Sequence, residues 1–257
     1  MQLRQLLPHL EALAPLALAE PWDNVGLLAG TPEQAVQRVL CSIDLTAAVL
    51  AEAQALAAQL LIVYHPPLFR PIQRLSEVPL VAAAVAAGLA IYSPHTALDA
   101  ATGGTNELLA ARLGLQQLRP LRPAVASSSL GMGRLGYLPV PLLRAALAGH
   151  VRAALALPQV LVAGPESGEL QCLAVCAGSG GDLIDAALAA GAEALVTGEL
   201  RHHDALRAAA RGLSVVCTLH SHSERLALAP LAASLQARAA GLIVMCAATD
   251  VDPFRFA

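Results

Sequence analysis

Two histidine–carboxylate pairs with the same spacing occur in this chain. His95 is followed four residues later by Asp99, and His220 is followed four residues later by Glu224. Each pair comes just after a short apolar run, which an Ala-rich segment and a Gly-Leu dipeptide precede. Residues at i and i+4 share one face of a helix, so an imidazole and a carboxylate at this spacing can bind a single divalent cation. The repetition predicts a duplicated half-site, with a metal centre between two similar halves.

Further histidines and acids follow other apolar runs in the same way. Imidazole and carboxylate ligands without cysteine favour Zn, Fe, Mn or Co over a structural zinc–thiolate site. With this many ligands we expect two ions per chain and hydrolysis by metal-activated water. The candidates beyond the two pairs are His65, Glu199, His202, His203 and His222.

The same residue types allow a second interpretation, in which histidines act as general acids and bases without a metal. His202, His203 and Asp204 are the group best suited to that role. A polar group at this point is also typical of an ordinary helix start, where Asp204 interacts favourably with the helix dipole. At the level of sequence these interpretations stay open.

The elements that must position these side chains alternate between apolar, strand-like runs and Ala-rich helical segments. Residues 60–64 are continuously apolar, as in a buried parallel strand, and lead directly into His65. Each half follows a β-α-β-α-β order, which predicts an α/β fold with mostly parallel, mixed sheets and a ligand site at the carboxyl ends of the strands. We expect a first α/β repeat over 1–120, a connecting segment with a hairpin and a helix over 121–170, and a second α/β repeat over 171–257.

The composition excludes several classes of protein. The chain is 257 residues long and 56% hydrophobic. No apolar run reaches the length of about 18 residues that a membrane span requires, so we expect no membrane segment. The net charge of −3 argues against a nucleic-acid partner. All 16 basic residues are arginine, which excludes Schiff-base chemistry and a Walker-type lysine.

The cysteines and the N-terminus predict where the protein works. The chain has five cysteines without C-x-x-C spacing, and each lies in an apolar run. We interpret them as small core residues in a reducing compartment and expect a cytoplasmic protein. Cys172 and Cys176 share one face of a strand, which leaves a thiolate site as the alternative. The first residues indicate an amphipathic helix rather than a secretory signal.

Two loops have roles that the sequence leaves open. Residues 20–27 hold the only tryptophan, Trp22. Either Trp22 covers the core, or this turn forms a wall of the site, with Asp23 or Asn24 behind the ligands. Residues 178–182 form a Gly-rich turn that lacks the lysine of a phosphate loop, so a tight strand-to-helix turn is the plainer interpretation.

An ordered set of short motifs extends over nearly the whole chain. The motifs are PWDNVGLL, YHPPLF, SPHTALD, GGTNELLA, GMGRLGYL, VCAGSGGDLI, TGELRHHDAL, HSHSE and DVDPF. Together they resemble the family known as GTP cyclohydrolase 1 type 2 homologues, or Nif-three-like proteins. The resemblance implies two intertwined α/β repeats with a dinuclear metal site between them, and a toroidal homohexamer whose sites face an internal cavity.

The family's metal ligands are carried over motif by motif. Its His-His-Pro motif falls on Tyr64-His65-Pro66, so this chain has tyrosine where the family has a first histidine. A neutral phenol is a poor ligand, although a phenolate can bind iron. We therefore expect one well-held ion and a second, weaker one, with His222 or water as other ways to complete the site. The matching ligands are His65, His95, Asp99, His220 and Glu224.

The resemblance implies a reaction only by its name, which asserts opening of the guanine ring of GTP. Our wider prediction is a divalent-metal-dependent hydrolase acting on a small molecule of nucleotide or phosphoester type. Trp22, Arg70 and Arg201 could supply stacking or phosphate contacts. The alternative is a non-catalytic metal-binding protein that regulates or scaffolds its partners. Turnover that requires metal distinguishes the two.

Overall fold

The computed structural model describes residues 1–255 and contains two compact units, each built around one mixed β-sheet. The first unit is Met1–Ala101 with Ala227–Pro253, and the second is Thr102–Leu226 with Phe254 and Arg255. The predicted α/β class with mixed sheets is confirmed. The detail of intertwined repeats stays a prediction.

Helices and strands are numbered along the whole chain. The first unit contains α1 (Leu3–Leu13), β1 (Gly26–Ala29), β2 (Arg38–Ser42), α2 (Ala47–Ala55), β3 (Leu60–Val63), α3 (Pro79–Ala86), β4 (Ala90–Ser93), α4 (His95–Ala100), α10 (Leu228–Arg238) and β11 (Ile243–Cys246). The second unit contains α5 (Thr105–Arg112), β5 (Gln116–Ala124), β6 (Ser127–Leu143), α6 (Leu147–Leu155), β7 (Leu161–Ala163), β8 (Glu169–Ser179), α7 (Ile184–Ala189), β9 (Ala194–Glu199), α8 (His202–Ala210), β10 (Ser214–Cys217) and α9 (His220–Arg225). Within residues 1–255, no helix is long and apolar enough to cross a bilayer.

The first sheet has the strand order β1-β4-β3-β2-β11. Its last four strands are parallel, and β1 is antiparallel to β4 at the edge. Every residue of β3 is buried, as the continuous apolar run predicts. Leu61 of β3 pairs with Leu40 of β2 and with Ile91 of β4, and Val81 of α3 joins the same core. The carboxyl ends of β2, β3 and β4 therefore meet at one edge of this sheet.

The second sheet has the strand order β5-β6-β8-β9-β10-β7. Strands β8, β9 and β10 are parallel, while β5, β6 and β7 pair antiparallel with their neighbours. Leu173 and Val175 of β8, Val196 of β9 and Val216 of β10 are buried in one core. The long β5–β6 ladder accounts for the hairpin that the sequence indicates before residue 150. The carboxyl ends of β9 and β10 lie next to each other, which places the residues after them at one edge.

The compact units do not follow the order of the predicted division into 1–120, 121–170 and 171–257. Strand β11, at the end of the predicted second repeat, pairs in parallel with β2, with Ile243 opposite Arg38 and Cys246 opposite Cys41. An apolar strand pairs with whichever sheet edge accepts its register, so chain order alone cannot assign it. Near the first boundary, α5 contacts β8 and belongs to the second unit. The last two residues of the predicted second repeat lie outside the described residues.

Candidate metal centre

His65 is held by an aspartate that follows a neighbouring strand. It comes two residues after β3, and its Nδ1 lies 2.9 Å from Oδ1 of Asp44, which follows β2. A carboxylate can only accept, so Nδ1 carries the proton and donates. This hydrogen bond fixes the tautomer in which Nε2 is the ligand atom. Asp44 was not among the predicted site residues, although it comes after a strand as His65 does.

His95 is held in the same way by a buried aspartate of the tryptophan turn. Its Nδ1 lies 2.8 Å from Oδ1 of Asp23, whose side chain is fully buried. Asp23 also accepts hydrogen bonds from the backbone N, at 3.1 Å, and from the hydroxyl of Thr96. Burial raises the pKa of Asp23, but the hydrogen bonds and charge of His95 and the hydrogen bonds of Thr96 outweigh it and hold this pKa below its usual value. The turn therefore forms a wall behind His95, one of the two alternatives that the sequence left open.

Tyr64 contacts the carboxylate of the first histidine–carboxylate pair. Its hydroxyl donates a hydrogen bond to Oδ1 of Asp99, and both residues are buried. The rings of Tyr64, His65 and His95 meet edge to face, with centroids 5.4 to 5.9 Å apart. We call Tyr64, His65, His95 and Asp99 the first cluster. It contains two oriented imidazoles, one buried carboxylate and one phenol.

His220 and Glu224 lie on α9, directly after β10, as the spacing predicts. Nε2 of His220 is 3.2 Å from Oε1 of Glu224, which is only 4% exposed in its side chain. Nδ1 of His220 is 3.2 Å from Oε1 of Glu199, the last residue of β9. We call His220, Glu224 and Glu199 the second cluster. Its histidine has a carboxylate oxygen beside each ring nitrogen.

Two glycines make room for the second cluster. A Cβ on Gly178 would lie 2.6 Å from Oε1 of Glu224 and 3.4 Å from Nε2 of His220, and Gly178 also has a φ of +66°. A Cβ on Gly198 would lie 2.9 Å from Cα of His220. The backbone N of Gly178 donates to Oγ of Ser223 at 2.8 Å. The Gly-rich turn thus lets α9 pack closely against the ends of β8 and β9, a role that its sequence did not indicate.

The remaining predicted site residues lie in different surroundings. His202 and His203 are exposed at the start of α8, with ring centroids 5.3 Å apart. Asp204 forms an ion pair with Arg207, one turn along the helix, at 3.1 Å. His222 is half-buried on α9, between the residues of the second pair. Metal or acid–base roles for these residues stay predictions.

The donor chemistry fits a divalent ion. Among residues 1–255, His220 and Glu224 of the second unit place ligand atoms 3.2 Å apart, where one metal ion could bind both. Imidazole nitrogens and carboxylate oxygens without thiolates suit Zn, Fe, Mn or Co. Cys41, Cys172 and Cys176 are buried thiols, and burial raises the pKa of Cys172, which disfavours the alternative of a thiolate site.

Comparison with known proteins matches the chain along most of its length. A family model described as Duf34/NIF3 (NGG1p interacting factor 3) matches residues 1–253. The chain is 35% identical over 239 residues to NIF3-like protein 1 of Drosophila melanogaster, across 87% of this chain and 78% of that protein. It is 35% identical over 212 residues to the GTP cyclohydrolase 1 type 2 homolog of Streptomyces coelicolor, across 79% of this chain and 74% of that protein. The fold matches the crystal structure of a Bacillus cereus protein related to NIF3 with a TM-score of 0.91 and 22% identity, over 100% of this chain and 99% of that one.

Proposed function

Because the chain belongs to the Duf34/NIF3 family, we propose that it is a divalent-metal-dependent hydrolase that acts on a nucleotide or phosphoester-type substrate with activated water. The name of the Streptomyces relative refers to GTP cyclohydrolase 1 type 2, and it supports a hydrolytic reaction on a nucleotide. The candidate metal ligands are His65, His95, Asp99, His220 and Glu224.

The observation that carries this proposal is a carboxylate against Nδ1 of each candidate histidine ligand. Metal-binding histidines usually donate their second ring N–H to such a partner, which fixes the ring and raises its basicity. An ordinary core histidine needs only one satisfied contact, and repetition of the same arrangement in both clusters favours ligation. The three pairs are His65 with Asp44, His95 with Asp23, and His220 with Glu199.

The second cluster supports the proposal through a further detail. Nε2 of His220 and Oε1 of Glu224 face each other at 3.2 Å. When the neutral imidazole carries its proton on Nδ1, toward Glu199, both of these atoms offer lone pairs, and they attract each other only when a cation lies between them. A cation between these two atoms would serve both. The short distance between His220 and Glu224 is therefore consistent with two ligands of one metal ion as well as with an ion pair.

When bound, a divalent ion would lower the pKa of water and polarise the bond to be cleaved. The protein's own residues hold the remaining parts in place. Asp23 and Asp44 keep the imidazoles of the first cluster in one tautomer and orientation. Tyr64 holds Oδ1 of Asp99 by donating its hydroxyl proton. The buried carboxylates of Asp99 and Glu224 supply negative charge for a cation.

The number of ions depends on Tyr64. Its hydroxyl donates a hydrogen bond to Asp99, and a neutral phenol in that role is a poor ligand. We propose one well-held ion and a second, weaker one. We also propose that the chain assembles as a toroidal homohexamer in the cytoplasm. The resemblance in sequence motifs supports both points, and light scattering tests the assembly.

The first experiment is elemental analysis of protein purified without chelator or affinity metal. We expect at least one ion per chain, and turnover of a nucleotide or phosphoester panel that stops on chelation and returns with metal. Asp99→Ala and Glu224→Ala should each abolish turnover while the fold is retained by circular dichroism. A stable metal site without turnover on the whole panel would favour the regulatory or scaffold role. Protein that stays metal-free after soaking with Zn, Mn and Fe would contradict the metal centre itself.

A further inference from the structure

A cavity of about 400 Å³ lies beside the first cluster, within the first unit. Its walls are the tryptophan turn and the loop that follows His65. This volume lies in the range of about 300 to 1,000 Å³ that is usual for small-molecule sites. The residues that matter for its chemistry are Trp22, Asn24, Leu68, Phe69 and Arg70.

Two exposed aromatic rings form one side of this cavity. Trp22 is 57% exposed and Phe69 is 45% exposed, although rings of this size normally bury most of their surface. Their centroids lie 5.9 Å apart in an edge-to-face arrangement. The ring of Trp22 is also 6.2 Å from that of His95. A planar group that stacks on Trp22 would therefore lie next to a candidate metal ligand.

The two loops that carry the aromatic rings are held by a contact with each other and by the first cluster. The side-chain amide of Asn24 donates a hydrogen bond to the carbonyl of Leu68, which joins the two loops that form the cavity. Asp23, between Trp22 and Asn24, is fixed by His95 and Thr96. The cavity is therefore preformed, and a ligand does not bear the cost of ordering its walls.

Arg70 gives the cavity its charge. Its side chain is exposed on the cavity wall and forms no ion pair with any of residues 1–255. Asp23 is the acidic residue of the lining, and its carboxylate is already engaged by His95 and Thr96. The open guanidinium therefore favours an anionic ligand, and its planar fork matches the oxygens of a phosphate.

We propose that this cavity is the subsite for a nucleotide, with the base stacked against Trp22 and Phe69 and a phosphate bound by Arg70. The proposal rests on the proposed function and narrows it, because it selects nucleotides over other phosphoesters. Stacking on an aromatic face is tolerant of base identity. We therefore expect purine and pyrimidine nucleotides to bind, with purines tighter because they cover more of the ring.

Trp22 is the only tryptophan, so its fluorescence reports on this cavity alone. The full chain, both as purified and after chelator treatment, is titrated with AMP, GMP and CMP, with adenosine, with ribose 5-phosphate and with inorganic phosphate. Excitation at the red edge of the indole band limits absorption by the nucleotides. We expect saturable quenching by the nucleotides in both preparations, about tenfold weaker binding of adenosine, and no quenching by ribose 5-phosphate or phosphate.

Substitution of two neighbouring arginines separates specific binding from a general charge effect. Arg70→Gln should weaken AMP binding about tenfold, whereas Arg74→Gln, four residues along the same exposed loop, should leave it unchanged. Phe69→Ala should weaken AMP and adenosine alike, because it removes stacking. Equal effects of the two arginine variants, or the absence of saturable quenching, would overturn the subsite.

The outcome also separates this subsite from the proposed reaction. Nucleotide binding to chelator-treated protein, without turnover when metal is restored, would support the subsite and count against the hydrolase. Metal-dependent turnover of nucleotides with unchanged Trp22 fluorescence and no effect of Arg70→Gln would support the hydrolase and overturn the subsite.

Discussion

The first and second clusters contain a histidine and an acid at the same spacing, but the two pairs are engaged differently. In the second cluster, Glu224 lies 3.2 Å from the histidine one turn before it. In the first cluster, Asp99 accepts a hydrogen bond from Tyr64, which directly follows the neighbouring strand β3. The i, i+4 spacing therefore brings both side chains to one face of a short helix, while residues from other elements decide what each acid contacts.

The origin of the orienting carboxylates differs as well. Asp44 follows β2 and Asp23 lies in the tryptophan turn, so the first cluster depends on contacts 21 and 72 residues apart in the chain. The second cluster takes one acid from its own helix and one from the end of β9. Its geometry depends on the clearance that Gly178 and Gly198 provide. Long-range hydrogen bonds fix the first cluster, whereas the close packing of α9 against β8 and β9 fixes the second.

Both clusters share unfavourable backbone at the start of the helix. His95 has a φ of +27°, and Leu219, just before His220, has a φ of +70° and a ψ of 148°. Neither residue is a glycine, and such conformations cost about 1 to 3 kcal/mol unless the surroundings impose them. In the first cluster the strained residue is the histidine of the pair, and in the second it is the residue directly before that histidine. The strain is thus a shared feature of clusters whose side-chain contacts differ.

The largest expected effect comes from the two acids beside His220. Glu224→Ala should weaken metal binding more than about 100-fold, because it removes a buried ligand, whereas Glu199→Ala should weaken it by about tenfold or less. Glu199 is 56% exposed and acts only on the orientation of His220. Competition with a chromogenic chelator measures both affinities. Equal losses would mean that Glu199 is itself a ligand.

A substitution in the first cluster tests the role of the phenol. Tyr64→His should raise the metal content to about two ions per chain, because an imidazole is a stronger ligand than a neutral phenol. Tyr64→Phe should leave the content unchanged and remove only the hydrogen bond to Asp99. Elemental analysis of the two variants and the parent protein measures this. A loss of metal in Tyr64→Phe would show that the tyrosine oxygen is a ligand.

The two aspartates that orient the histidines of the first cluster should contribute differently to the free energy of unfolding. Asp23→Asn should lower the free energy of unfolding by about 2 kcal/mol, because a buried acceptor of several hydrogen bonds loses its charge. Asp44→Asn should lower it by less than about 1 kcal/mol, since Asp44 is 44% exposed. Both should weaken metal binding about tenfold through the loosened imidazoles. Denaturant unfolding of chelated protein separates the two effects, and equal stability losses would contradict this account.

Local patterns in the sequence predicted much of this arrangement, and long-range pairing explains what they missed. The buried strand before His65 and both histidine–carboxylate pairs follow from hydrophobic periodicity and i, i+4 spacing. The pairing of β11 with β2 depends on which sheet edge is available. The sequence did not predict the contact of Asp44 with His65, although Asp44 also follows a strand. Which strands are neighbours at a sheet edge is known only once the strand order is known. The clearance at Gly178 depends on atoms 46 residues away in the sequence, which no local pattern contains.

The smallest expected effect tests that clearance, by comparing two glycines with positive φ. Gly178 and Gly191 have φ values of +66° and +84°, so alanine at either position should cost about 1 kcal/mol of unfolding free energy for the backbone alone. A Cβ at Gly191 meets nothing within 4 Å, whereas a Cβ at Gly178 meets Oε1 of Glu224 at 2.6 Å.

Gly178→Ala should therefore cost about 1 kcal/mol more than Gly191→Ala in chelated protein, since the buried Glu224 must move. It should also weaken metal binding about tenfold, while Gly191→Ala leaves metal affinity unchanged. Thermal or denaturant unfolding and the chelator competition give the two numbers for each variant. If both variants lose the same unfolding free energy and keep the metal affinity of the parent protein, Glu224 can move away from the new Cβ at little cost. The geometry of the second cluster would then not depend on the close packing of α9 against Gly178.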